Sequence, residues 1–251
     1  MSRWLLLLLA AVASGALGAW TPPPNPDPSA ILESARQDTA ARRYDDALAK
    51  HLWYHQNALK IQPAQYGVRL SFALSYWVEL ARLYPPAMEA LEAERRDAGV
   101  RLRSASGART DFADYAAIGQ YLDDEAPTVE LFVWLDQHNP TLAAQSYPMA
   151  EAPLIKAKRY QLCGKYLDVP RSKEQMLSIY RSMLKGGDAG LRAFAQKTFA
   201  QRAATLVALL VINGRQAEAD DVAATMLKEW PDQGFSRQLE RARKGGMPRQ
   251  D

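Results

Sequence analysis

Apolar and polar positions follow a 3.6-residue rhythm from Ser29 almost to the C-terminus, and no run of alternating β-branched residues interrupts it. Ala, Leu, Glu, Lys, Arg and Gln fill the periodic segments, and these residues form helices readily. The rhythm and its punctuation predict helices over Ser29–Arg42, Tyr44–Ile61, Ala64–Leu83, Pro86–Arg103, Asp111–Leu122 and Thr128–Gln137. Further helices are predicted over Leu154–Leu167, Ser172–Lys185, Leu191–Asn213, Ala217–Glu229 and Gly234–Lys244. Pro63, Pro85-Pro86, Pro140, Pro170 and Pro231 mark boundaries, because the residue before proline is steered out of the helical region. Pro148 and Pro153 predict breaks on the same ground, Gly186-Gly187 and Gly214 predict helix ends, and 245–251 reads as a disordered tail. Helices joined by such short loops lie antiparallel to their neighbours. The expected fold class is therefore all-α, built from helix hairpins.

Some spacings recur. Gly214 is followed by Ala219, Met226 and Pro231, and the same offsets reappear at Asp123, Thr128, Leu135 and Pro140, with Phe132 inside the second copy. A third copy begins at Tyr44-Asp45-Asp46-Ala47-Leu48, with Ala35 in the preceding helix, and ends at Pro63. Pro63 follows Ala47 by 16 residues where the other copies have 12, an excess of about one helical turn.

This pattern resembles the tetratricopeptide repeat. In that family a glycine turns the chain, small residues let two helices cross closely, and a proline closes the hairpin. The matching positions here are Ala47, Pro63, Thr128, Phe132, Pro140, Gly214, Ala219 and Pro231. The resemblance implies hairpins over 29–244 stacked as a right-handed superhelix, an α-solenoid that binds peptides or proteins on a concave face. The chain departs from the family where Arg42 and Asp123 replace the turn glycine, where Val207 replaces a small residue, and across Leu142–Lys185, which fits poorly. The stretch YGVRLSFALSYWVELA resembles segments of secreted bacterial proteins, a likeness that implies no activity.

The N-terminus changes the expected address. Arg3, an apolar run from Trp4 to Val12 and small residues up to Ala19 form the pattern of a cleavable export signal over 1–19. The apolar run is shorter than the roughly 20 residues a membrane-spanning helix needs. Residues 20–28 are proline-rich and read as an extended linker. The expected product is periplasmic or secreted, with no membrane span after signal removal. Formal net charge is +3 and no basic stretch stands apart from acids, which argues against nucleic acid as a partner. Arg95, Arg96, Arg101, Arg103 and Arg109, interleaved with Glu92, Glu94 and Asp97, read as a solvated helix face. A single cysteine, Cys163, allows no internal disulfide and reads as a buried small hydrophobe.

Chemistry is sparse. His51 and His55 in HLWYH stand four apart, so a helix puts both on one face. A metalloprotease helix would need HExxH, and Leu52 stands where its glutamate belongs. There is no Gly-x-Ser-x-Gly and no phosphate-binding loop. Asp45-Asp46, Asp123-Asp124-Glu125 and Asp220-Asp221 fall at helix starts, where acids favour the helix dipole. Aromatics crowd the HLWYH helix and the next one; most of them are expected to pack between helices, and part of that cluster (His51, Tyr54, His55, Arg69, Tyr76) to line a partner-binding groove. The expectation is a non-enzymatic scaffold or adaptor of the bacterial envelope, with no cofactor. The alternative is a helical ligand- or metal-binding protein, even a hydrolase, with its site around His51 and His55.

Overall fold

The computed structural model describes residues 20–249, so the export signal expected over 1–19 lies outside the described residues. The described residues form thirteen α-helices and no strand. None of these helices is long and apolar enough to cross a membrane. The chain divides into two compact units that meet in sequence at Glu94–Arg95.

In the first unit, Asp27 caps α1 (Pro28–Ala40) by accepting the Ser29 N–H at 2.9 Å. α1 packs against α2 (Tyr44–Ile61), whose range matches the sequence expectation. Ala35 and Ala47 are fully buried, as a close helix crossing requires. A buried ion cluster locks this hairpin. Asp38 accepts from Lys50 and from Arg43, and Lys50 also donates to Ser34 Oγ at 3.0 Å.

The helix expected over Ala64–Leu83 is broken. A 3₁₀ turn over Pro63–Gln65 leads into the one-turn α3 (Tyr66–Arg69), and α4 (Phe72–Leu83) starts afresh. The break at Leu70-Ser71 lets Arg69 turn inward, where its Nε donates to the His55 carbonyl at 2.7 Å. α5 (Pro85–Leu102) begins in this unit, and the Ala87 carbonyl in its first turn accepts from Trp77 Nε1 at 3.0 Å.

The second unit continues with α6 (Arg109–Tyr121), α7 (Ala126–His138), α8 (Pro140–Lys156) and α9 (Tyr160–Tyr166). α10 (Val169–Lys185), α11 (Ala189–Ile212), α12 (Gln216–Glu229) and α13 (Gln233–Ala242) follow. Asn139, Asp168, Asp188 and Asp232 each cap a helix through the side chain. α11 is the core element: from Ala203 to Leu210 only Thr205 is not fully inside, and α9, α10, α12 and α13 all pack on it.

Three expectations are corrected here. Pro148 and Pro153 do not break the chain but lie inside α8. Pro148 sits on the exposed face, as does Ala144 one turn earlier, so the carbonyl left without a donor faces water. The helix expected over Leu154–Leu167 is two helices that meet at a turn around Lys158. Arg95 is not on a solvated face. It is buried, donates to the Asp124 carboxylate at 2.8 Å and to its carbonyl at 2.6 Å, and lies over the Tyr115 ring at 4.7 Å. At the C-terminus, Met247 packs on the core of the unit and the Arg249 carbonyl accepts from Gln201 Nε2 at 2.5 Å.

One turn is built four times. Arg42, Asp123, Lys158 and Gly214 adopt left-handed backbone, with φ of 60°, 53°, 57° and 73°. In each case the next N–H reaches back five residues to a helix carbonyl: Arg43 to Asp38, Asp124 to Gly119, Arg159 to Leu154 and Arg215 to Leu210. These are the long bonds of the Schellman motif, which satisfies carbonyls orphaned at a helix end. Five residues beyond each left-handed position stand Ala47, Thr128, Cys163 and Ala219, all fully buried.

Candidate functional site

The residues expected to line a groove lie in the first unit, on α2, α3 and α4. His51 and His55 project from one face of α2 onto the Trp77 ring of α4. His51 stacks on it at 5.9 Å between centroids, and His55 meets it edge-on at 5.7 Å. Arg69 holds His55 from the other side, with Nη2 at 3.1 Å from Nε2. Tyr54 donates to Gln65 Oε1 at 2.8 Å, and Gln65 in turn donates to Ser29 Oγ at 2.8 Å. His51, Tyr54, His55 and Arg69 are all buried. The groove expected at these four side chains is therefore corrected: they form a polar seam inside the unit, and of the five only Tyr76 keeps part of its surface open.

The electrostatics fit an interior seam. Burial pushes the His51 imidazole down to about 4, so it is neutral over the ordinary range. Its Nε2 is buried without a hydrogen-bond partner. Burial likewise pushes the Tyr54 hydroxyl up to about 12. For metal ligation the arrangement is poor. Among the described residues no three His, Cys, Asp or Glu side chains stand together, and the Arg69 guanidinium already occupies the position beside His55.

Tyr76 opens onto a different feature. With Arg36, Thr39, Arg42, Tyr44, Glu79 and Leu83 it lines a cleft of about 390 Å³ between α1, the start of α2 and α4. The cleft presents guanidinium groups, a carboxylate and two phenols. The left-handed turn at Arg42 directs one of those cations to its rim. Sequence periodicity did not single out this cleft, because its residues are individually ordinary surface positions on three segments.

The second unit holds the remaining groups that could carry chemistry. Burial pushes the Cys163 thiol up to about 12, which leaves almost no thiolate to act as a nucleophile. Tyr147, also raised chiefly by burial, donates to Glu151 Oε1 at 2.9 Å. Burial opposes ionisation of Asp136, but hydrogen bonds from Lys165 and Tyr166 outweigh it and hold the carboxyl below its usual range. His138 is spent on its own helix, stacked on Trp134 at 4.4 Å with Nδ1 at 2.8 Å from the Trp134 carbonyl. A nucleophile, a base and an orienting group do not converge at any of these positions.

The repeat-matching residues are placed structurally. Ala47, Thr128, Phe132 and Ala219 are buried, Gly214 turns the chain, and Pro63, Pro140 and Pro231 stand at helix boundaries. No protein-family model, curated protein or solved structure matches the chain.

Proposed function

We propose that this chain is an exported, tetratricopeptide-like protein that binds a peptide or protein partner without catalysing a reaction, as a scaffold or adaptor of the bacterial envelope. The observation that supports this most strongly is the turn built four times, at Arg42, Asp123, Lys158 and Gly214, each followed at a fixed offset by a buried small or medium residue. Repeated hairpins of this kind expose successive helix faces, a design suited to recognition rather than to one buried reaction centre. The thiol and the paired imidazoles, the groups best able to do chemistry, are spent inside the fold. On the first unit the surface that fits the role is the cleft around Tyr76, where phenols offer aromatic contact and the Arg42 guanidinium offers bonds to carboxylates, Arg36 being paired with Glu33.

The test is selection from a displayed random-peptide library on the purified protein. Selected peptides are then measured by fluorescence anisotropy against the parent and a Tyr76→Ala variant. Saturable binding weakened by the variant supports the reading. Absence of any saturable peptide, or turnover in a panel of ester, amide and phosphoester substrates, refutes it. Metal analysis of the same material bears on the alternative: stoichiometric zinc lost in a His51→Ala, His55→Ala double variant would replace the scaffold reading with a metal site. Export is checked by N-terminal sequencing of the periplasmic fraction, which should start near Ala19-Trp20.

A further inference from the structure

The hairpin of α10 and α11 carries an apolar trough that is shallow over most of its length, holding only about 10 Å³ between Met176 and Arg202. On α10 the trough is edged by Ser172, Met176, Ile179 and Met183, spaced four, three and four apart. On α11 it is edged by Ala195, Thr198, Arg202 and Thr205, spaced three, four and three. Alternating threes and fours are the spacing of a helix–helix seam. Here Met176 and Ala195 are buried where the two helices pack on each other, while Ile179, Met183, Thr198 and Arg202 keep surface along the open side. Its floor is Tyr180 stacked on Phe199 at 4.4 Å. Toward α8 it deepens into a pocket of about 200 Å³ that Glu151 and Ile155 help to line. At the other end Leu191 and Phe194 remain 39% and 57% exposed, and Ile179 is 40% exposed between them and the pocket.

Charge is concentrated on the same hairpin. From Val169 to Arg202 there are seven Lys or Arg against Glu174 and Asp188, a net +5 in a chain whose formal total is +3. Lys173 and Arg181 are committed to Asp221 and Glu229 on α12, and the Asp188 carboxylate caps α11. Arg171, Lys185, Arg192, Lys197 and Arg202 are exposed and form no ion pair among the described residues. The trough therefore has an apolar floor, and its surroundings are cationic.

We propose that this trough binds an amphipathic α-helix of a partner protein, apolar on the face that meets Ile179, Met183 and Phe194 and acidic along its flanks. The proposal rests on the peptide-binding reading above and adds to it a second surface, on the second unit, with its partner class. An extended strand laid on this floor would leave backbone N–H and C=O groups against methionine, isoleucine and phenylalanine side chains, a costly burial. A helix satisfies its own backbone and supplies side chains at the spacing the trough presents. From Ser172 to Met183 the trough spans about 16 Å, or roughly three helical turns. Met183, which keeps part of its surface, gives it a side chain that adapts to differing apolar shapes.

The probe is a synthetic amphipathic peptide of four turns with leucines at alternating three- and four-residue spacing. One version carries glutamate at the flanking positions and the other lysine. Anisotropy with the full chain should show saturable binding of the glutamate peptide and at least tenfold weaker binding of the lysine peptide. Ile179→Glu with Phe194→Glu should abolish it, and Arg202→Glu should narrow or reverse the preference. Both Ile179 and Phe194 are exposed, so circular dichroism should confirm that the double variant still folds. Equal binding of the two peptides, or unchanged binding to the double variant, overturns the proposal. Sedimentation with phosphatidylglycerol vesicles without glutamate-peptide binding would assign the trough to a membrane surface. Concentration-dependent self-association lost in the double variant, with no peptide bound, would assign it to a second copy. Either outcome overturns the helix. If selected peptides depend on Tyr76 and not on Ile179 or Phe194, the general binding reading stands and this one fails. If no peptide binds anywhere, both fail.

Discussion

Protonation of His51 should weaken the first unit in mildly acidic solution. Its imidazole lies flat against Trp77 with a buried, unpartnered Nε2, and its folded pKa is depressed to about 4 from an ordinary 6.5. Above pH 6.5 the ring is neutral in both folded and unfolded chains, and its full contribution is present. As pH falls below 6.5 the unfolded chain takes up a proton that the folded chain refuses, so stability drops until about pH 4 and then levels off. That depression corresponds to about 3 kcal/mol in total, of which about 2 kcal/mol is lost between pH 7 and pH 5. The assay is urea unfolding by tryptophan fluorescence at several pH values, with Trp134→Phe and Trp230→Phe present so that the remaining described tryptophans report the first unit. His51→Phe keeps an aromatic ring on Trp77 and removes the proton site. The parent should lose stability from pH 7 to 5 with a slope that the variant lacks. Asp38, Glu33 and Glu229, whose carboxyls are lowered, act through their protonation at more acidic pH and leave the upper part of this window clear. Identical slopes in parent and His51→Phe would refute the reasoning.

Other outcomes follow from contacts already described. Asp38→Ala leaves Lys50 buried without its carboxylate and should cost about 3–5 kcal/mol, and adding Lys50→Met should recover most of it in thermal melts. Arg42→Gly, Asp123→Gly and Lys158→Gly should each stabilise by up to about 1 kcal/mol, because glycine accepts left-handed backbone without a Cβ penalty. Gly214→Ala should destabilise by about 1 kcal/mol on the same ground; open space surrounds its added Cβ, so the cost is conformational. Arg95→Ala should cost about 2 kcal/mol by releasing Asp124 and Tyr115, and Arg95→Lys should restore little, since one ammonium does not reproduce the planar fork.

Periodicity was enough to find the helical class and the hairpin of α1 and α2, because burial of one face leaves a direct mark on spacing. The turn positions at Arg42 and Asp123 were also legible, although each departs from glycine. A left-handed residue costs a non-glycine side chain only about 1–2 kcal/mol, which a Schellman bond and a packed crossing can offset. The Lys158 hairpin stayed hidden for the same reason twice over: lysine stands at its turn and cysteine in its small-residue slot. Pro148 and Pro153 misled because proline punctuation says which N–H is missing but not whether the orphaned carbonyl faces water. Arg69, His55 and Arg95 misled because polarity predicts exposure only when no partner awaits inside. Their partners are carbonyls and rings from other segments, which no local pattern encodes.

If the chain is exported as proposed above, the packing of Cys163 governs how it fares in the oxidising compartment it would enter. Folded, the thiol is sealed at a helix crossing and has nothing to react with. Unfolded, it regains an ordinary acidity and becomes the single point through which two chains can be covalently joined. A disulfide-linked dimer of this protein would therefore mark molecules that were oxidised before they folded or after they opened. The position thus records folding history, and slow folders would be removed from the pool as dimers.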